Sequence, residues 1–142
     1  MNNMRILGID YGDARVGVAI TDELRITAQG LETIFHNNND KIVLKRIEEI
    51  VNEYKVSTIV IGIPYNLDGS GSERIEVTEK FIHKLKCRLG KKINIERVDE
   101  RLTTVQAHKT MNLLNVDKKK KKNIVDTISA VYILETYINK LN

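Results

Sequence analysis

Three stretches near the N-terminus carry apolar residues in short runs rich in β-branched side chains: MRILGIDYG (4–12), RVGVAITD (15–22) and RITAQGLETIFH (25–36). Gly and Asp stand between the first two. This pattern predicts three consecutive antiparallel strands with a glycine-bearing turn after the first. The period then changes. In NNNDKIVLKRIEEIVNEYK (37–55), Ile42, Ile47, Ile50, Val51 and Tyr54 fall on one side of a helix that opens on Asn/Asp capping residues. VSTIVIGIP (56–64) is a continuous apolar run closed by the only proline, as expected of a strand covered on both faces.

The second half of the chain alternates in the same way. After the Gly-rich stretch YNLDGSGSE (65–73), the segment RIEVTEKFIHKLKCRLG (74–90) repeats apolar residues at Val77, Phe81, Leu85 and Leu89, and Gly90 supplies a left-handed cap. KKINIERVD (91–99) reads as a fifth strand. TTVQAHKTMNLLN (103–115) starts with Thr103 and Gln106 at capping-box spacing and places Ala107, Met111 and Leu114 on one side. A run of lysines, read as a loop, precedes the last amphipathic helix, NIVDTISAVYILETYINKL (123–141).

The order β-β-β-α-β-α-β-α-α predicts an α/β fold. A meander of three antiparallel strands is followed by strands joined through helical crossovers, which make neighbours parallel. A five-stranded mixed sheet flanked by helices on both faces satisfies this order. With 142 residues and no Pro/Gly/Ser-rich linker, residues 1–142 form one expected domain. Ligand sites in such sheets lie beyond the carboxyl ends of the parallel strands.

Composition narrows the function. The apolar fraction of 42% is enough for a core, and the 30% charged fraction describes an ordinary solvated surface. Cys87 is the only cysteine, which excludes an intramolecular disulfide framework and a cysteine-rich zinc site and fits a small side chain on a helix. No N-terminal signal-type segment and no membrane-length apolar stretch occur in the sequence, so a cytoplasmic location is expected. The formal net charge is +4, with five positive charges concentrated at Lys118, Lys119, Lys120, Lys121 and Lys122. Such a run is either a solvated loop or a sequence-independent footprint for a phosphate backbone.

Three acids stand at informative positions. Asp10 ends the first strand, Glu100 follows the fifth, and Asp126 is placed in the first turn of the last helix, with Ser129 and Ala130 sharing its side. Singly, each has an ordinary reading: a turn residue, a helix-terminal charge, an exposed first-turn acid. Together they would converge on one rim, where unneutralised carboxylates repel. A divalent cation such as Mg²⁺ or Mn²⁺ resolves that conflict with oxygen ligands, and two such ions roughly 3.5–4 Å apart can hydrolyse a phosphodiester without a protein nucleophile.

At these residues the chain resembles the YqgF family, also called RuvX-like Holliday junction resolvases, of the RNase H-like fold. The resemblance rests on GIDYGDARVGVA, VIGIPYNLDGSGS, VDERLTTVQA and KKKKKNIVDTISAVYIL, and runs over nearly the whole chain. It implies that Asp10, Glu100 and Asp126 bind metal, with the neighbouring Asp99 not excluded as the ligand in place of Glu100. It also implies a cytoplasmic nuclease acting on structured RNA, at the 5′ end of pre-16S ribosomal RNA, or alternatively on branched DNA. Ser129 departs from the family's usual Ala, and the lysine run is longer than usual.

Arg15 of the first motif and Arg101 beside Glu100 are expected nucleic-acid contacts. In the 65–73 loop, Gly69 and Gly71 would offer backbone N–H groups to a phosphate while Asn66 reaches a sugar or base. Tyr11 is expected to pack under that loop, and His83 and His108 to be structural or exposed. Junction cleavage calls for a homodimer, whereas trimming one RNA strand needs only a monomer. Two competing readings are an ATP-binding module, suggested by the GIDYG hairpin, and a nucleic-acid-binding protein without chemistry.

Overall fold

The computed structural model describes residues 5–65, 73–99 and 118–141, with side chains of the last segment described from residue 127. Strands β1 (Arg5–Tyr11), β2 (Arg15–Thr21) and β3 (Ala28–Phe35) are followed by helix α1 (Asp40–Tyr54) and strand β4 (Val56–Ile63). Helix α2 (Glu73–Leu89), strand β5 (Asn94–Asp99) and helix α3 (Lys118–Leu141) complete the described elements. The helix expected over 103–115 lies outside the described residues.

The sheet has the order β3-β2-β1-β4-β5. β1 pairs antiparallel with β2, and β2 with β3; β1 pairs parallel with β4, and β4 with β5. The expected mixed sheet is therefore present, and β1, β4 and β5 end on the same rim. Strand alternation sorts the core into two layers. Leu7, Ile9, Tyr11, Val16, Val18, Ile59 and Ile61 face α1 and α2, where Val43, Ile47, Phe81 and Leu85 meet them. Ile6, Ala19, Val60 and Val98 face α3, packing on Ala130, Ile133 and Leu134.

Caps behave as the sequence predicts. The Asn39 side chain accepts a hydrogen bond from the Lys41 N–H at the start of α1, and Gly90 takes φ +77° after α2, donating its N–H to the Lys86 carbonyl.

Several expectations are corrected. Ile42 and Val77, placed on buried helix sides, are 46% and 38% exposed. The buried stripe of α1 is Val43, Leu44, Ile47, Ile50 and Val51, which leaves Ile42 on its margin. In α2 the stripe is Thr78, Phe81, Ile82 and Leu85; a strict four-residue repeat drifts about 40° per step around a helix of 3.6 residues per turn, so Val77 slides out of it. Cys87 is on a helix, but exposed. The lysine run is no loop: residues 118–122 begin α3, since lysine is a good helix former and no glycine or proline intervenes. Asp126 therefore sits in the third turn of that helix and not in its first.

Two glycines set how closely α3 lies on the sheet. A Cβ on Gly8 would stand 2.6 Å from Leu134 Cγ and 2.8 Å from the Ala130 carbonyl oxygen. One on Gly30 would collide with Thr127 Cγ2. Ser129 and Ala130 are both buried in this seam, as expected of small residues that admit close approach.

Candidate functional site

Asp10 is the penultimate residue of β1. Ile6 packs toward α3 and Gly8 abuts it, so alternation puts Asp10 on that face, half-buried at the rim. Its antiparallel partner in β2 is Gly17, which adds no side chain beside the carboxylate, and Gly17 in turn pairs with Thr33 of β3. The hydroxyls of Thr33 and Thr127 lie 3.2 Å apart, tying α3 to this same row. Thr127 also sits over Gly30, which shares the row of Ala19 and Gly8, so from Thr127 over β3 the helix crosses the sheet to set Ala130 and Leu134 over Gly8 of β1. Residue 126 is the position before Thr127 in that helix.

β5 reaches the same rim, with Asp99 opposite Ile63 of β4. Here the register separates two neighbours. Val98 packs on the α3 side, whereas Arg97 turns to α2 and holds Glu79 at 2.7 and 2.6 Å. Asp99, exposed and two residues after Arg97, has the register of the α2 side, opposite to Asp10. Glu100 follows it in the chain and lies outside the described residues.

Arg15 begins β2 two residues before Gly17, so it shares the face of Asp10 and flanks its row. Among the other expected nucleic-acid contacts, Asn66, Gly69, Gly71 and Arg101 lie outside the described residues. Lys118, Lys119, Lys120, Lys121 and Lys122 are in the first turns of α3 by backbone; their side chains, like that of Asp126, fall before the first described side chain of that helix. Among the described residues no three His, Cys, Asp or Glu side chains gather as a metal site. The donor that is described fits a hard cation: a half-buried carboxylate at a strand end, facing a glycine in the adjoining strand.

The reverse face of the same strand end is densely bonded, and the partners Asp40, Lys84, Arg74 and His36 lie outside the sequence motifs. The Tyr11 hydroxyl donates to Asp40 Oδ1 at 2.6 Å, and Lys84 Nζ holds the other oxygen of that carboxylate at 3.1 Å. The Tyr11 ring stacks on Phe81 of α2 with centroids 4.3 Å apart and so packs into the core; residues 66–72 of the loop under which it is expected lie outside the described residues. Burial, then the hydrogen bond to Asp40, push the Tyr11 hydroxyl well above its ordinary pKa and keep it protonated. Arg74 of α2 pairs with the Asp13 carboxylate and reaches the Tyr11 carbonyl at 3.3 Å. Buried His36 has Nε2 2.7 Å from the Gly12 carbonyl. His83, by contrast, is exposed, with Nε2 3.7 Å from Cys87 Sγ; His108 lies outside the described residues.

Known proteins match this chain in sequence and in fold. A chain from Ruminiclostridium cellulolyticum named "Putative pre-16S rRNA nuclease" is 54% identical over 97% of this chain and 96% of its own length. A protein of the same name from Acetivibrio thermocellus is 51% identical over 96% of both chains. Among solved structures, Thermus thermophilus RuvC in complex with a Holliday junction substrate superposes with a TM-score of 0.59 at 11% identity, covering 98% of this chain and 96% of that one. The yeast mitochondrial Holliday junction resolvase Ydc2 gives 0.54 at 9% identity, over 96% and 78%. These two likenesses establish the fold. Among the described residues no helix is long and apolar enough to cross a membrane. The family model described as RuvX, Holliday junction resolvase, matches residues 4–140, and with relatives this similar over nearly their full length the chain belongs to that family of nucleases.

Proposed function

We propose that this protein is a metal-dependent endonuclease that hydrolyses nucleic-acid phosphodiesters, with Asp10, Glu100 and Asp126 as the ligands of Mg²⁺ or Mn²⁺. The observation that carries this reading is topological. β1 delivers Asp10 to the rim where β5 ends one residue before Glu100, and α3 carries Asp126 one position before Thr127, whose hydroxyl meets Thr33 in the row of Gly17 and Asp10. The register of β5 favours Glu100 over Asp99, because Asp99 has the register of the opposite face.

When bound, such ions supply an activated water and charge stabilisation at the leaving oxygen. The chain supplies the rest. The acids fix where the ions sit, and Gly17 keeps the space beside Asp10 free of side-chain bulk. Arg15, on the same face, holds a substrate phosphate, with Arg101 and the loop residues Asn66, Gly69 and Gly71 extending that grip. Lys118–Lys122 open the same helix that carries Asp126, which supports their role as a sequence-independent phosphate footprint beside the reacting bond.

The substrate best supported is pre-16S ribosomal RNA, because the relatives at 54% and 51% identity are named for it; action at its 5′ end, in the cytoplasm, is what the family resemblance adds. The second reading, junction DNA, is favoured by the family description and by the likeness to RuvC. Purified protein with Mn²⁺, given structured pre-rRNA and four-way junction DNA in parallel, tests both. We expect RNA cleavage that Asp10→Asn abolishes while circular dichroism stays unchanged. Equal behaviour of mutant and wild type on both substrates defeats the nuclease reading. Salt-sensitive binding that survives Asp10→Asn and chelation, without cleavage, establishes a binding protein instead. Light scattering decides between the monomer that RNA trimming needs and the two-fold dimer that symmetric junction cleavage needs.

A further inference from the structure

The four residues after Asp10 are held to an unusual degree. Each of their carbonyls is engaged: Tyr11 by Arg74 Nη2 at 3.3 Å, Gly12 by His36 Nε2 at 2.7 Å, Asp13 by the Asn38 N–H at 2.9 Å and Ala14 by the His36 N–H at 2.9 Å. The Tyr11 side chain is pinned as well, through Asp40 and Phe81. The side-chain contacts from Asp40, Arg74 and Phe81 come from α1 and α2, on the side of the sheet opposite to the one Asp10 faces, while the two backbone bonds extend the pairing of β2 with the end of β3. A loop usually satisfies its carbonyls with water, at no entropic cost of ordering. Here the turn is fixed by protein groups: by backbone bonds to the end of β3 and the residues after it, and by side chains on the face opposite to the carboxylate. His36 keeps this arrangement although its Nδ1 is buried without a partner among the described residues.

From this we infer that Arg74 is a positioning residue for Asp10: its fork on Asp13 and the Tyr11 carbonyl fixes the backbone that aims the carboxylate, and so sets the affinity of the rim for a divalent cation. This inference rests on the metal-site reading above. Arg74 is the informative member of the network, because its side chain is 41% exposed whereas Tyr11 and His36 are buried. Its loss need not unfold the chain.

Charge and geometry make opposite demands on the test. Removing a positive charge near a cation site should tighten cation binding by Coulomb's law. Releasing the strand end should weaken it, and outer groups that orient a ligand typically carry about 10–100-fold in metal affinity. Mn²⁺ binding to the full chain, read from the free-ion electron paramagnetic resonance signal, separates the two.

We expect Arg74→Gln to weaken Mn²⁺ binding about tenfold with an unchanged circular dichroism spectrum, and Arg74→Lys to recover part of the loss. Arg97→Gln, which removes an arginine that bonds Glu79 on the same face of the sheet, should leave the Mn²⁺ affinity as it was. Binding by Arg74→Gln that is equal to wild type, or tighter, overturns the positioning role while the metal site stands. Identical Mn²⁺ titrations of wild type and Asp10→Asn overturn the metal site, and this inference with it.

Discussion

Gly8→Ala is a one-atom perturbation with two separable consequences. The new Cβ would stand 2.6 Å from Leu134 Cγ and 2.8 Å from the Ala130 carbonyl oxygen. The side-chain atom can turn away, but the carbonyl belongs to the backbone of α3 and cannot. Restoring ordinary separation requires the helix to lift by roughly 0.6 Å, and overpacking of this kind costs about 1–3 kcal/mol. The rigid helix carries that displacement to residue 126, about one turn before Ala130. Misplacing one member of a carboxylate constellation by a large fraction of an ångström costs on the order of 10–100-fold in rate. Guanidinium unfolding followed by circular dichroism measures the first effect. Cleavage of pre-rRNA at a temperature where the variant is fully folded measures the second. A variant as stable as wild type would refute the close helix–sheet seam; one that is destabilised yet fully active would refute the dependence of the site on the seating of α3.

Other outcomes follow from the same structure. Replacing Lys118–Lys122 by Gln should lower the slope of log affinity against log salt, by up to about 0.7–0.9 for each phosphate no longer neutralised, while cleavage at low salt is retained; an unchanged slope returns the run to a solvated helix start. The Arg97 guanidinium holds the Glu79 carboxyl below its usual range through their hydrogen bonds. The stabilisation from this depressed folded pKa is present above the unfolded pKa and is lost as pH falls through the folded one. With both side chains about two-fifths exposed it amounts to less than about 1 kcal/mol, so Glu79→Gln should lower urea-measured stability slightly at pH 7 and leave it unchanged at pH 2. Chelation with EDTA should abolish cleavage and leave the circular dichroism spectrum intact, and Mn²⁺ should restore activity; cleavage in EDTA would contradict a metal-dependent site.

Much of the fold was legible because strand and helix periods are local. The meander of β1, β2 and β3 showed in its β-branched runs, and the double-sided burial of β4 in its unbroken apolar sequence. Ile42 and Val77 were misplaced because only the tertiary packing decides which part of a broad apolar stripe touches the sheet. Five like charges in the lysine run suggest a solvated loop, yet nothing in the run breaks a helix, and it opens α3. Of the site, Asp10 was visible as an acid ending an apolar strand. Its support was not. Arg74 meets Asp13 across a separation of 61 residues, and the Tyr11–Asp40 bond spans 29, so no local spacing points to either. Asp99 and Glu100 are interchangeable in the sequence, since adjacent acids differ only in register, and the register of β5 gives a face to Asp99 alone.

At the centre of this proposal, Asp10, Glu100 and Asp126 share one cation site on the rim of the sheet. Crystals grown with MnCl₂, measured for manganese anomalous scattering, test it most directly. The expected result is a peak about 2.1 Å from carboxylate oxygens of all three residues, with Asp99 turned away. A peak bound by Asp99 without Glu100, or well-ordered carboxylates at residues 10, 100 and 126 pointing to separate patches with no manganese between them, would contradict it.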